Sequence, residues 1–330
     1  MKKVLIFGAT GNTGAYLVDY CLDHLDHDEY EIVAIGRRKT DYFTRRGISY
    51  HSVDITHFDD FEQLPNEGIH SVIHMAAILP SSMEGYRPED YIRCNVMGTF
   101  NILEYCRRVA VDRIVYTQTI RDIGQHIGKG YPLRHDMPRH FSFTGDHAVY
   151  VITKNAAVDL IEHYYQQYGI KRFILRLPTI YAYTPNEYFY VDGIKRPKAY
   201  RLMIRQATKG EPIEMWGDPS KAHDIVYVKD LCQMISKTIV VDRSSGFYNV
   251  GTGSPVSLRD QIEGIIQVFS PKENPSVIIP CPEKPNARSY TMDISNAIEE
   301  LGYMPQYDYL NYLRDFKLEM EMNRYKDLRI

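Results

Sequence analysis

The sequence holds a single Trp and five cysteines, Cys21, Cys94, Cys106, Cys232 and Cys281, an odd number with no Cys-x-x-Cys pair. That usage argues against a disulfide framework or a zinc cluster and fits a reducing cytoplasm. Long apolar runs are missing as well. A membrane span needs roughly 20 such residues, and the opening run at residues 4–7 is also too short for a secretory signal. Neither export nor membrane insertion is expected. An excess of one charge is lacking: 39 Lys and Arg stand against 42 Asp and Glu, a formal net charge of -3. No basic field is there to gather nucleic acid or anionic lipid, so neither is an expected partner. The twelve histidines show no metal-ligand spacing and no nucleophile triad, and no metal is expected. Repeats and low-complexity tracts are absent, and residues 317–330 read as a charged, solvated helix.

What is present is a chain of 330 residues, 44% hydrophobic, enough for one large domain with a smaller one appended. Apolar runs rich in Val and Ile recur at 4–7, 31–35, 48–53, 72–75, 113–116 and 173–177. Between them, residues 15–24, 92–109 and 149–168 carry apolar side chains at three- and four-residue spacing. This alternation predicts an α/β fold, a Rossmann-type doubly wound parallel sheet. The pattern changes at residues 178–197, where Tyr and Pro accumulate, and a helix is expected near 199–208. Residues 224–228 and 247–250 are strand-like again, which predicts a return to the first sheet. The domains are therefore expected at 1–177 with 224–250, and at 178–223 with 251–330 for a smaller α/β substrate-binding unit. The 27 tyrosines read mainly as half-buried packing with hydroxyls at the surface.

The segment Gly8-Ala9-Thr10-Gly11-Asn12-Thr13-Gly14 follows the first strand directly and opens the first helix. Bare amides and the positive helix end there suit a pyrophosphate, and glycine serves the tight turn, the approach of phosphate and helix-on-strand packing. The turn therefore points to a dinucleotide. After the second strand the chain reads Gly36-Arg37-Arg38-Lys39, with no carboxylate to accept the ribose hydroxyls of NAD. An arginine there can pair with a 2′-phosphate, which favours NADP over NAD, against the plainer reading of solvated surface cations.

Tyr150 and Lys154 stand four residues apart and share one helical face. A phenol with an ordinary pKa of about 10 becomes a usable acid and base beside a cation, and hydride transfer at a carbinol needs such a proton partner. About one such pair is expected by chance among so many tyrosines; its position, opening the helix before the sixth strand, singles it out. Thr119 ends the fifth strand, on the side where open sheets bind ligands, and its hydroxyl can hold a substrate oxygen. Threonine is also a plain strand former, so the pattern alone leaves both readings open.

Together these motifs resemble the extended short-chain dehydrogenase/reductase family, the NAD-dependent epimerase/dehydratase group of nucleotide-sugar 4-epimerase-like enzymes, over nearly the whole chain. Gly8, Gly11 and Gly14 match its glycine loop, with Thr10, Asn12 and Thr13 inside it. Asp54-Ile55 is similar to the adenine-contacting pair. His74-Met75-Ala76-Ala77 resembles the motif beneath the cofactor, and Asn95 the structural asparagine near the lysine. Leu177-Pro178-Thr179-Ile180-Tyr181 is similar to the segment flanking the nicotinamide. The resemblance implies Thr119 as catalytic hydroxyl, Tyr150 as acid and base, Lys154 as activator and ribose anchor, and Arg288 as a grip on substrate phosphates. It also implies a nucleotide-sugar substrate and a homodimer. Two departures stand out. His223 occupies a place where arginine is common, and Ile120-Arg121 replaces the Asp-Glu pair of sugar dehydratases, which argues against 4,6-dehydration.

The favoured function is NAD(P)-dependent epimerisation of a nucleotide-sugar through a keto-sugar, as in UDP-glucose 4-epimerase-like enzymes. The runner-up is NADP-dependent reduction of a 4-keto-deoxysugar nucleotide, which the two arginines would suit. A non-catalytic cofactor-sensing protein ranks below both, because the tyrosine and the lysine are both present.

Overall fold

A computed structural model describes residues 1–328. Its centre is a seven-stranded sheet in the order β13-β6-β5-β4-β1-β2-β3. The strands are β1 (Lys2–Phe7), β2 (Tyr30–Gly36), β3 (Ser49–Ser52), β4 (Ile69–His74), β5 (Arg113–Thr119), β6 (Lys171–Leu177) and, much later, β13 (Ser245–Asn249). Every neighbouring pair is parallel. The crossover helices are α1 (Asn12–His24), α3 (Gly98–Arg108) and α4 (Ala148–Tyr168); a short α2 (Pro88–Tyr91) runs through a π-helical turn into α3.

Helices cover both faces of the sheet, so its strands read as continuous apolar runs. Along β1, Val4 and Ile6 point into the core under α1, while Leu5 and Phe7 join Ile102, Leu103, Ala157 and Ile161 of α3 and α4 on the other face. Successive side chains of one strand thus stabilise opposite layers. The strand order reverses between β1 and β4, which opens a crevice beyond their C-terminal ends.

The rest of the chain forms short elements around that crevice. They are β7 (Ile180–Tyr181), β8 (Tyr188–Val191), β9 (Ile194–Pro197), α5 (Ala199–Lys209), β10 (Ile213–Trp216), β11 (Ala222–His223), β12 (Val226–Tyr227) and α6 (Val228–Val240). After β13 come β14 (Val256–Ser257), α7 (Leu258–Phe269), β15 (Ile278–Cys281), α8 (Ser295–Leu301) and α9 (Tyr309–Met322). Among the described residues, no helix is long and apolar enough to cross a membrane.

Two sequence expectations need correction. The strand-like stretch at 224–228 contributes β12, which pairs with β7 rather than with the central sheet; only β13 returns to it. The charged tail is an exposed helix only as far as Met322. α9 stops at Asn323, whose φ of 44° turns the chain, and Phe316, Tyr325 and Leu328 are buried. The Tyr325 hydroxyl donates to Asp19 of α1 at 2.8 Å, and Arg324 bonds the same carboxylate at 3.2 Å. Residues 329 and 330 lie outside the described residues.

A buried ion pair fixes the turn that leaves β5. Arg176 of β6 donates to both oxygens of Asp122, at 2.9 to 3.1 Å, and also reaches the His135 carbonyl and Asn249 Oδ1. One guanidinium thereby ties β6, β13 and the segment after Thr119 together.

Candidate active site

The turn after β1 is shaped by close backbone approach. Gly8 takes φ +97°, and a Cβ there would lie 3.0 Å from the Ala76 nitrogen. A Cβ on Gly14 would stand 2.1 Å from the Gly8 carbonyl oxygen, a clash with backbone that cannot swing aside. Gly11 caps α1 without any side-chain hydrogen bond, so the amides of Asn12, Thr13 and Gly14 meet no capping acceptor. Asn12 Oδ1 is buried without a partner, while Thr10 fills the space beside Gly36. Unused donors on a positive helix end, with no side chain in front, fit the phosphates of a dinucleotide.

Asp54 and Ile55 lie just past β3. Burial works against the Asp54 carboxylate, but the Thr56 donors and the Arg37 and His57 cations hold its pKa below the ordinary range. Thr56 reaches it through its amide at 3.0 Å and its hydroxyl at 2.8 Å. Ile55 packs on Gly98. Arg37 is exposed and close enough to influence Asp54 and Cys94. Arg38 points elsewhere: its guanidinium donates to the Leu328 carbonyl of the tail. The tail's approach was not readable from the sequence, and it engages one of the two arginines.

Met75, Ala76 and Ala77 leave β4 half-buried beside the glycine turn, with the Met75 amide on the Phe7 carbonyl at 3.0 Å. Asn95, 1% exposed, accepts from the Ile78 amide at 2.9 Å and donates to Thr153 of α4 at 3.2 Å. Both ends of its amide are used within the chain, so it positions the β4 loop against the helix that carries Tyr150.

Tyr150 and Lys154 are both buried on α4. Burial pushes the Tyr150 phenol up to about 12, while the nearby Thr119 hydroxyl and Arg121 cation pull the other way. The Lys154 ammonium lies 4.0 Å from the centroid of the Tyr116 ring, and burial lowers its pKa to about 7. Thr119 Oγ1 also accepts the Arg121 amide at 3.2 Å. Phenol and hydroxyl thus lie near one another at the C-terminal edge of β5, while the amine rests on the Tyr116 ring, and Pro178 is buried just past β6.

Beyond them lies a cavity of about 210 Å³ lined by Ile120, Arg121, Ile127, Thr179, His223, Arg288 and Tyr290. Arg288 and His223 face it together, and His223 Nδ1 has no partner while Nε2 meets the Tyr181 hydroxyl at 3.3 Å. Arg121 is the residue that sequence reasoning undervalued, since it registered there only as the absence of a dehydratase carboxylate. Its position two residues after Thr119 was the available signal.

With this geometry in place, comparison with known proteins decides the family. The profile of the NAD dependent epimerase/dehydratase family matches residues 4–251. The chain belongs to that family. It is 25% identical over 336 residues to UDP-glucuronic acid decarboxylase 3 of Arabidopsis thaliana, covering 98% of this chain and 91% of that protein. The UDP-N-acetylglucosamine 4-epimerase of Bacillus cereus superposes with a TM-score of 0.77 at 20% identity, covering 97% and 99%. The UDP-glucuronic acid 4-epimerase of the same organism, solved with NAD, superposes at 0.70 with 20% identity, covering 96% and 99%. The Rossmann-type fold expected from the sequence is the one observed.

Proposed function

We propose that this member of the NAD dependent epimerase/dehydratase family inverts carbon 4 of a nucleotide-linked sugar through a transient keto-sugar. The observation that carries this reading is the buried Tyr150 phenol beside the Thr119 hydroxyl at the sheet edge, with an open glycine turn after β1. Gly8, Thr10, Gly11, Asn12, Thr13 and Gly14 would hold the dinucleotide's phosphates. Asp54, Ile55, Met75, Ala76, Ala77 and Pro178 would flank its bases, with Lys154 on the ribose and Asn95 supporting from behind. A nicotinamide dinucleotide bound there exchanges hydride with the sugar carbon.

The chain's own residues manage the proton. Thr119 holds the C4 oxygen, and Tyr150 takes the hydroxyl proton and returns it to the same oxygen once the other face of the keto-sugar is presented. A phenol near 12 is a weak base at neutral pH, so the positive charge of Arg121, which draws it down, is needed to bring it into range. Arg288 grips the phosphates of the nucleotide.

Among cofactors, a preference for NADP rests on Arg37 alone, because the Arg38 guanidinium is taken by the Leu328 carbonyl. The keto-sugar reductase reading depended on both arginines and is not carried forward. A homodimer is supported by the exposed Phe100 and Ile152 on α3 and α4, and a reducing cytoplasm by five unpaired cysteines. The test is direct. Purified protein is given UDP-glucose, UDP-galactose and UDP-glucuronate, and products are resolved by chromatography. A 4-epimer without net reduced cofactor supports the reading; stoichiometric cofactor consumption, or no product from any sugar, defeats it.

A further inference from the structure

Arg121 and Thr119 sit on one turn, and the Arg121 amide bonds the hydroxyl assigned to the reacting oxygen. The Arg121 guanidinium shares the cavity with Arg288. Among the described residues, no carboxylate comes within ion-pairing distance of Arg121. The nearby Asp146 is engaged by His147 and, at 2.9 Å, by the Asp192 amide. Arg121 is half-buried while Arg288 is exposed, and burial with the repelling Arg288 charge lowers the Arg121 pKa to about 10. Such an arrangement costs stability unless a ligand brings negative charge. Arg288 stands toward the nucleotide end by the reading above, so the diphosphate accounts for one cation. Arg121 remains, and it is the cation acting on the Tyr150 phenol, at the reacting end.

We propose that Arg121 pairs with a carboxylate on the sugar itself, so that this site selects nucleotide-linked hexuronates over neutral hexoses. The assignment rests on the C4 reading of Tyr150 and Thr119. In a hexuronate the carboxyl carbon is two bonds from C4, within the span of a guanidinium rooted two residues from Thr119. The planar fork of arginine suits a carboxylate by two parallel hydrogen bonds. A neutral hydroxymethyl group in its place would leave that cation desolvated and unpaired, the kind of mismatch that discriminates strongly between substrates.

The experiment compares UDP-glucuronate, UDP-glucose and UDP on the NAD-loaded protein, by calorimetric Kd and by kcat/KM. Wild type is expected to favour the uronate over the neutral sugar by about 30-fold or more. Arg121→Met should bring that ratio to within about threefold, and Arg121→Lys should keep part of it. Arg288→Met should weaken UDP and both sugars alike, leaving the ratio in place. The assignment is overturned if wild type binds both sugars equally. It is also overturned if Arg121→Met weakens UDP as much as UDP-glucuronate, which would make Arg121 a diphosphate ligand. A uronate preference in binding without turnover of any sugar would defeat the epimerase reading and leave Arg121's assignment standing. Should Arg121→Met fail to fold, the wild-type Kd ratio and the Arg121→Lys variant still decide.

Discussion

The Lys154 ammonium stands over the face of Tyr116, 4.0 Å from the ring centroid, on the strand next to its own helix. An aromatic face offsets part of the cost of burying a cation but does not replace water. Lys154 is 3% exposed, and desolvation takes its pKa from 10.5 to about 7. The amine is therefore held in a state that suits the moment when an anionic ligand arrives.

That burial gives a pH-dependent stability. The folded-state pKa lies below the unfolded value, so the unfolded chain binds the proton more tightly, and the penalty is fully present below about pH 7. It is relieved as pH rises toward 10.5. Lys154→Met should raise the melting temperature of the cofactor-free protein by several degrees at pH 6 to 7, and by less at pH 10. Thermal scans across that range check the slope; a variant less stable than wild type at every pH would show that the ring contact outweighs desolvation.

Tyr150→Phe removes the proton carrier and little else. Turnover should fall by at least about a thousandfold, with dinucleotide affinity within about threefold of wild type. A residual rate within about threefold would mean that another group moves the proton.

Asp122 and Arg176 should behave as a unit. Asp122→Ala leaves a buried guanidinium without its counter-charge and is expected to cost about 3–5 kcal/mol in urea unfolding. Replacing both, Asp122→Leu with Arg176→Met, should recover part of that loss. If the double variant is as unstable as the single one, the backbone contacts of Arg176 outweigh the ion pair.

The two arginines after β2 should separate cleanly. Arg37→Ala is expected to lower affinity for NADP by about tenfold while changing NAD affinity little. Arg38→Ala should leave the NADP to NAD ratio unchanged and instead loosen the tail, read by faster proteolysis around residues 323–328. A ratio that shifts with Arg38 and not with Arg37 would reverse the assignment.

Most of the sheet was legible because a strand buried on both faces carries an unbroken apolar run, as at residues 4–7 of β1 and 114–116 of β5. The glycine turn was legible for a related reason: Gly8 and Gly14 stand where backbone meets backbone, and no other side chain fits. Tyr150, Lys154 and Thr119 could be picked out by their order along the chain. What escaped are contacts between remote segments. Nothing near Arg38 announces that Leu328 will take its guanidinium. The end of the tail looked solvated because Tyr325 and Leu328 lie among charges at irregular spacing. The two-residue β12 is too short for any periodicity to say which strand it joins. Arg121 was visible, but its meaning depends on Arg288, more than 160 residues on, facing the same cavity.

The grip of Arg324 and Tyr325 on Asp19 spans 305 and 306 residues. The first crossover helix therefore receives its last native contacts only after residue 325 has left the ribosome. Contacts of such long sequence separation close slowly, because loop entropy must be lost before they form. The α1 layer therefore cannot reach its finished packing before the tail is made. Packing of that helix is thus completed by a segment made some 305 residues after it.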